Sequence, residues 1–137
     1  MSDTQRFKVF RSAIGLGLKS LESAKKGDQL LEYLGEIISN DEADERANRY
    51  LFRLDDDYTI DGSMRSNLAR YINHSCGPNA QAVHHVADQR IMIEAIKKIR
   101  AGDEITIDYG KEYFEQYIEP IGCKCAKCER KRARSSA

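Results

Sequence analysis

The sequence predicts a mainly β domain that is built from several small sheets and a few short helices. Short runs rich in Ile, Val, Leu and Tyr follow one another along the chain, and glycines separate them, as in short strands joined by turns. The length of 137 residues suffices for one hydrophobic core rather than several domains. The sequence lacks an internal repeat and the glycine fingerprint of a dinucleotide-binding fold, which favours the same architecture.

The predicted strands lie, in chain order, at 7–10, 17–21, 30–38, 50–54, 58–61, 80–86, 90–96 and 104–109. Three short helices are predicted at 42–47, 67–72 and 111–118. Asn40 or Asp41 is placed to cap the first helix, and Asn67 is placed to open the second. The third helix is predicted from the helical spacing of its aromatic residues.

Composition and charge exclude several classes of protein. Hydrophobic residues make up 41% of the chain and charged residues 32%, which is typical of a globular domain and not of a disordered segment. The 22 basic and 22 acidic side chains cancel, so no net charge attracts the whole molecule to nucleic acid or to an anionic membrane. No window approaches the roughly 18 apolar residues of a membrane span, and residues 1–11 lack the apolar stretch of a signal peptide. We therefore expect no membrane partner and an intracellular, reducing compartment.

Charge is nevertheless uneven along the chain. Residues 28–61 carry eleven acidic side chains against three arginines, and residues 123–137 carry six basic side chains against Glu129 alone. The acidic stretch is either a solvated face or a surface that attracts a cationic peptide. The basic stretch is either a solvated segment with a frayed end or a weak contact with nucleic acid.

Three of the four cysteines lie within six residues: Cys123, Cys125 and Cys128. Their thiolates can occupy three corners of a tetrahedral zinc site, with Cys76 as the fourth ligand. The alternative is a set of unliganded thiols, which the polar and basic surroundings of the late cysteines disfavour. His84 and His85 are substitute ligands, but as neighbours on a predicted strand they point to opposite faces.

Four motifs contain glycines, and three of them also contain polar side chains. Two of them, at 15–18 (Gly-Leu-Gly-Leu) and 33–36 (Tyr-Leu-Gly-Glu), allow a backbone to approach a ligand closely, although the first taken alone predicts only a turn. The segment 70–79 crowds polar residues into the middle of the domain, and its Asn73 and His74 can each donate and accept hydrogen bonds. These residues serve either a polar ligand or a network that pins a loop. The fourth motif, at 102–110, is a turn and a strand that ends in Asp108 and Tyr109.

Taken in this order, the motifs resemble the SET-domain protein-lysine methyltransferases, which use S-adenosylmethionine. The resemblance runs from about Phe7 to Cys128 and rests most on the Asn-His-Ser-Cys-Gly-Pro-Asn block of 73–79, the Asp108–Tyr109 pair and the cysteine cluster. It implies the SET fold, a β-clip of several small sheets with a C-terminal pseudoknot that brings Asn73 and His74 beside Tyr109. It also implies a SET domain over 5–118, a post-SET zinc-binding segment over 119–132 and a disordered basic tail over 133–137.

The resemblance assigns roles residue by residue. The implied cofactor-binding residues are Leu16, Gly17, Leu18, Tyr50, Arg70, Asn73, His74, Tyr109 and Tyr113, with Tyr113 or Phe114 stacked on adenine. The implied catalytic residues are Tyr109 and Tyr33, which line the substrate channel together with Ile107. The implied ligands of a structural zinc ion are Cys76, Cys123, Cys125 and Cys128. Only two residues separate the last two cysteines, where the family's usual pattern has four, and a tetrahedral site can close at either spacing.

The implied reaction is methyl transfer to the ε-amine of a lysine in a basic protein, such as a histone or a histone-like protein. The chain resembles a minimal stand-alone member, which implies a cytoplasmic location in a microbe and a nuclear or chromatin-associated one in a eukaryotic or host cell. Two other functions remain open. One is a non-catalytic, zinc-containing module of the same fold that binds proteins, and the other is a small zinc-dependent nucleic-acid binder that uses residues 124–134.

Overall fold

The chain folds as a series of hairpins and small sheets, which a computed structural model describes for residues 3–12, 15–46 and 48–108. The strands are β1 (Phe7–Ser12), β2 (Gly15–Ser20), β3 (Gln29–Glu32), β4 (Glu36–Ser39), β5 (Leu51–Arg53), β6 (Tyr58–Asp61), β7 (Asn73–His74), β8 (Ala80–His85), β9 (Arg90–Ala95) and β10 (Thr106–Ile107). The connections include helices α1 (Asp3–Arg6) and α2 (Asn40–Arg46) and the 3-10 turns Leu68–Tyr71 and Val86–Asp88. The prediction of a mainly β domain with short helices is confirmed. No helix in the described ranges is long and apolar enough to cross a membrane.

Three antiparallel sheets and one short parallel pair make up the sheet topology of the described residues. β1 and β2 form a hairpin, β9 lies between β3 and β8, and β6 lies between β4 and β5. β7 pairs with β10 in parallel, so that Asn73 lies opposite Thr106 and His74 lies opposite Ile107. This pair sets the polar 70–79 segment beside the strand that leads to Tyr109, which itself lies outside the described residues.

One cluster of buried apolar side chains joins the sheets. The strand patterns produce it directly, because in β9 the buried residues Ile91, Ile93 and Ala95 alternate with more exposed ones. Burial of a side chain the size of isoleucine stabilises the folded state by about 1.5–3 kcal/mol. The largest fully buried apolar members are Leu18, Leu54, Ile72, Ile91, Ile93, Ile99 and Ile105.

The predicted strand over 30–38 is wrong as a single element, because the chain leaves β3 at Glu32 and enters β4 only at Glu36. Gly35 in this break packs against the backbone of β6, where a Cβ atom would lie 2.1 Å from the carbonyl oxygen of Asp61. The close approach expected at Gly35 is therefore to another strand of the same domain. The predicted strand over 104–109 is also shorter than expected, because only Thr106 and Ile107 pair with β7.

The capping hydrogen bonds at the two predicted helix starts differ from those expected. α2 is capped by Ser39, whose Oγ accepts a hydrogen bond from the backbone N of Glu42 at 3.2 Å, while the Asn40 side chain donates to the carbonyl of Asp56 at 2.8 Å. The second predicted helix is a 3-10 turn, and Asn67 makes no side-chain cap at its start. The third predicted helix, at 111–118, lies outside the described residues.

Candidate functional site

Asn73 joins the β1–β2 hairpin to the β7–β10 pair. Its Nδ2 donates to the carbonyl oxygen of Leu16 at 3.0 Å and to Oε2 of Glu104 at 2.9 Å. Beside this junction, the backbone N of Ile105 donates to the carbonyl of Leu18 at 2.8 Å. The structure therefore brings Asn73 together with Leu16, Gly17 and Leu18.

Gly17 occupies the tightest position in this junction. A Cβ atom there would lie 2.7 Å from Oε2 of Glu104 and 3.0 Å from both Nδ2 of Asn73 and Cε1 of Phe10, so any side chain would displace its neighbours. The side chain of Leu18 is fully buried in the core, whereas Leu16 is 50% exposed. The buried side chain of Leu18 thus fixes β2 to the core, while the strand remains accessible to solvent at Leu16.

Tyr33, Tyr50 and Arg70 form a second group of predicted site residues. The hydroxyl of Tyr33 donates to the carbonyl oxygen of Tyr50 at 2.6 Å. The guanidinium of Arg70 lies over the ring of Tyr50, 4.3 Å from its centroid, and donates to the carbonyl of Ser63. Arg70 belongs to the 3-10 turn that packs against β1 and β2, so this group adjoins the junction at Asn73.

Tyr33 is held in a defined orientation within this group. Its side chain is only 6% exposed, and its ring meets the edge of Phe52 with centroids 5.1 Å apart. On another side the ring lies against Gly62, where a Cβ atom would come within 2.3 Å of Cε1. A buried tyrosine with its hydroxyl on a backbone carbonyl is suited to form the wall of an apolar channel.

His74 and Cys76 lie next to each other at the end of β7. Nε2 of the buried His74 lies 3.4 Å from Sγ of Cys76, and its Nδ1 lies 3.8 Å from a carboxylate oxygen of Asp108. Burial lowers the pKa of His74 below its usual value and outweighs Asp108, which acts to raise it. The lowered pKa favours the neutral imidazole, in which one ring nitrogen donates and the other accepts.

Several predicted residues lie outside the described part of the chain, so their placement stays a prediction: Tyr109, Tyr113, Phe114, Cys123, Cys125 and Cys128. Among residues 3–12, 15–46 and 48–108, no group of three or more His, Cys, Asp and Glu side chains is placed to hold a metal ion. His84 instead has Nδ1 3.3 Å from the carbonyl of Leu54, and His85 lies 3.7 Å from Glu94. Neither contact favours these histidines as zinc ligands.

The acidic stretch is partly neutralised by its own arginines. Arg46 pairs with Asp61 at 2.9 Å, Glu36 at 3.1 Å and Glu42 at 2.8 Å. Burial acts to raise the pKa of Asp61, but hydrogen bonds from Ser63 and Arg46 outweigh it and lower the pKa below the usual aspartate value. The network ties α2 to β6, so part of this negative charge serves the fold rather than a partner.

Sequence reasoning missed the roles of two polar residues that organise the site. The amide of the fully buried Asn67 accepts from the backbone N of Leu34 and donates to the carbonyl of Gly62, both at 3.0 Å. Glu104 binds Asn73, although only the turn and strand pattern of 102–110 marked that region. No local signal identifies either role, because Leu34 lies 33 positions from Asn67 and Asn73 lies 31 positions from Glu104.

Comparison with known proteins adds a second, independent line of evidence. The family model described as "SET domain" matches residues 15–110. The chain belongs to the SET-domain family. Within it, the histone-lysine N-methyltransferase set1 of Dictyostelium discoideum is 42% identical over 139 residues, which cover 93% of this chain and 9% of that protein. An H3 lysine-4 specific histone-lysine N-methyltransferase of Schizosaccharomyces pombe is 38% identical over 121 residues, 80% of this chain and 13% of that protein.

The SET fold is also evident from a solved structure. A humanized mutant of the Chaetomium thermophilum Polycomb Repressive Complex 2, bound to the inhibitor GSK126, matches with a TM-score of 0.67 and 34% identity. The match covers 76% of this SET-domain chain and 15% of the matched chain. The chain thus spans only a small part of the length of these relatives, and the likeness concerns the SET domain itself.

Proposed function

We propose that this SET-domain chain is an S-adenosylmethionine-dependent protein-lysine N-methyltransferase that acts on a histone or another basic protein. The single observation that carries the proposal is the convergence of Asn73, the β2 backbone and the β10 strand at one junction. The similar proteins are histone-lysine N-methyltransferases by name, which supports the same chemistry and substrate class. Methylation of histones implies a nuclear or chromatin-associated location in a eukaryotic or host cell, whereas methylation of another basic protein in a microbe implies a cytoplasmic one.

The residues at the junction fit the cofactor. In our proposal, Leu16, Gly17 and Leu18 contribute main chain, while Tyr50, Arg70, Asn73 and His74 contribute polar and stacking contacts, with Tyr109 and Tyr113 completing the set. The fit rests on the chemistry of the groups: amide, imidazole and backbone groups match the amine, carboxylate and purine edges of the ligand. When bound, S-adenosylmethionine supplies an electrophilic methyl group on its sulfonium.

The chain's own task is to present a neutral lysine amine in the correct direction. A lysine with a pKa near 10.4 is protonated at neutral pH, and conversion to the free amine costs about 4 kcal/mol. A channel walled by the buried side chains of Tyr33 and Ile107 disfavours the charged ammonium and so reduces that cost. Tyr109 follows β10 by two residues, and we propose that its hydroxyl orients the amine.

The proposal is tested by incubating zinc-loaded protein with methyl-labelled S-adenosylmethionine and a panel of histones and basic bacterial proteins. Label on a lysine that is absent with the Tyr109→Phe variant would establish the activity and its substrate class. Folded protein that binds neither cofactor nor substrate would contradict it and favour a non-catalytic protein-binding module. A salt-sensitive gel shift without cofactor binding would instead favour the nucleic-acid binder.

We further propose that Cys76, Cys123, Cys125 and Cys128 bind a structural zinc ion in the post-SET arrangement. Within the described residues, the half-buried Cys76 lies two residues after the end of β7, with its Sγ 3.4 Å from Nε2 of the buried His74. Four thiolates complete a tetrahedral zinc site without a further ligand. Such a site would tie the C-terminal segment to the end of β7.

Replacement of Cys76 by serine is therefore expected to remove zinc from the protein. Native mass spectrometry should find one zinc ion per wild-type chain, and little or none in Cys76→Ser, because three thiolates hold the ion less tightly than four. His84→Ala is the control and should retain the metal. Full zinc occupancy in the serine variant would exclude Cys76 as a ligand.

Ile107 is expected to allow more than one methyl transfer to the same lysine. In the family pattern this position, two residues before the catalytic tyrosine, is often Phe or Tyr, which narrows the channel. The isoleucine is smaller and cannot donate a hydrogen bond, so we expect dimethyl or trimethyl product from the wild type and mainly monomethyl product from Ile107→Tyr. Mass spectrometry of the product with excess cofactor tests this, and exclusively monomethyl product from the wild type would contradict it.

A further inference from the structure

The carboxylate of Asp61 determines the orientation of the Asn48 side-chain amide. Asp61 is only 7% exposed, and its two carboxylate oxygens lie 3.3 and 3.4 Å from Nδ2 of Asn48. The same carboxylate accepts from the backbone N of Ser63 at 3.1 Å and from Arg46 at 2.9 Å, which hold it in place. An ionised carboxylate can only accept hydrogen bonds, so the amide nitrogen of Asn48 must face it and the amide oxygen Oδ1 must face away.

The backbone of Tyr50 is held on both sides by this arrangement. Its N–H donates to Oδ1 of Asn48 at 2.8 Å. Its carbonyl oxygen accepts from the backbone N of Gly62, the residue that follows Asp61, at 3.0 Å. Tyr50 directly precedes β5, whose pairing with β6 begins where Leu51 lies opposite Asp61. The position of the Tyr50 peptide groups therefore depends on Asn48 on one side and on Gly62 on the other.

The carbonyl of Tyr50 in turn determines where the Tyr33 hydroxyl proton points. The hydroxyl of Tyr33 donates to this carbonyl at 2.6 Å. A phenol has one proton to donate, so toward any other group the hydroxyl oxygen of Tyr33 can only accept. A neutral lysine amine has N–H groups that can donate to such an oxygen, while its lone pair must stay free to attack the methyl group. A hydroxyl that donated to the lone pair instead would block the nucleophile.

We infer that Asn48, oriented by Asp61, is a positioning residue that holds the Tyr50 carbonyl in place, so that Tyr33 accepts a hydrogen bond from the substrate amine and does not donate to its lone pair. The inference rests on the proposed function, since it specifies how Tyr33 meets the substrate lysine. Asn48 acts here through the backbone of Tyr50 and not by contact with the substrate.

A double-mutant cycle between Asn48 and Tyr33 tests the inference. Single-turnover rates of methyl transfer to the panel of histones and basic bacterial proteins are measured at saturating S-adenosylmethionine, so that a change in cofactor affinity does not alter the rate. Asn48→Ala removes the hydrogen bond to the Tyr50 N–H, and we expect a rate about tenfold lower. In the Tyr33→Phe background no hydroxyl remains to be positioned, so the same replacement should change the rate by less than about twofold.

A partial exchange of the two side chains provides a rescue. Asn48→Asp alone keeps an acceptor for the Tyr50 N–H but sets a second carboxylate against that of Asp61, so it should slow methyl transfer about as much as Asn48→Ala. Addition of Asp61→Asn supplies an amide donor to the new carboxylate and should restore most of the rate.

Asn40→Ala is the matched control for a general structural effect. The Asn40 side chain donates to the carbonyl of Asp56 at 2.8 Å and accepts from the hydroxyl of Thr59 at 2.7 Å, near the start of β6. Its loss weakens the same sheet without a hydrogen bond that leads to Tyr33. Whatever its effect on the rate, we expect that effect to be the same with and without Tyr33→Phe.

The outcomes distinguish this inference from the proposed function. If the folded wild type labels no protein of the panel, the proposed function fails and the inference fails with it. If the wild type is active and Asn48→Ala leaves the rate unchanged, or lowers it equally with and without the Tyr33 hydroxyl, only the inference is wrong. A rate that Asp61→Asn does not restore in the Asn48→Asp variant would overturn the role of Asp61 in orienting Asn48.

Discussion

Replacement of Tyr109 by phenylalanine is expected to slow methyl transfer by about a hundredfold or more while leaving cofactor affinity nearly unchanged. The expected loss reflects the removal of one hydroxyl group that orients the lysine amine, and the ring that fills the site remains. Single-turnover kinetics with labelled cofactor, together with calorimetry for cofactor affinity, provide the measurement.

Tyr58→Phe is the matched control for this experiment. Tyr58 is 41% exposed on β6, so loss of its hydroxyl should leave both turnover and cofactor affinity unchanged. Unchanged turnover in Tyr109→Phe would remove Tyr109 from the mechanism. A parallel loss of cofactor affinity would show that the hydroxyl contributes to binding rather than to the chemical step.

Replacement of Asn67 by alanine is expected to reduce the free energy of unfolding by about 3 kcal/mol, because two backbone groups in the interior lose their partner. The groups are the N–H of Leu34, which directly follows Tyr33, and the carbonyl of Gly62, which lies against the Tyr33 ring. Stability measured by urea unfolding should therefore fall together with activity.

Asn67→Ser discriminates between the two roles considered for this residue. Serine is as good a helix cap as asparagine, so it would preserve stability if Asn67 acted as a cap. The structure shows no such cap, and the shorter serine side chain cannot reproduce both amide hydrogen bonds, so we expect a loss close to that of alanine. The exposed Gln81→Ala should change stability by less than about 0.5 kcal/mol. Wild-type stability in Asn67→Ser would contradict this role.

Prediction from the sequence succeeded where structure depends on near neighbours along the chain. The alternation of Ile91, Ile93 and Ala95 with exposed residues identifies β9, because successive side chains of a strand point to opposite faces. The prediction failed where a segment that is distant in the sequence packs against the predicted strand. The run over 30–38 has the composition of one strand, yet Gly35 meets the backbone of Asp61 and the chain bends there.

Some residues of the candidate site could likewise be predicted from the sequence, and others could be found only in the fold. The family motifs predict that Asn73, His74 and the β2 backbone belong to one site. In the structure, the parallel pairing of β7 with β10 sets Asn73 opposite Thr106 and His74 opposite Ile107. Glu104 was not identified, because a carboxylate in a turn and strand motif is most often a solvated residue. Its role depends on Asn73 lying 31 positions earlier in the chain.

The sequence by itself determined the strand-rich class, the approximate strand positions and the family to which the domain belongs, since all three depend on residue types and short spacings. The tertiary structure alone decided which polar groups meet. Asn73 binds the carbonyl of a residue 57 positions away, and Asn67 binds the backbone of one 33 positions away. Hydrogen bonds of this kind form only once the sheets have packed, because packing removes the competing water and brings the donors and acceptors within reach.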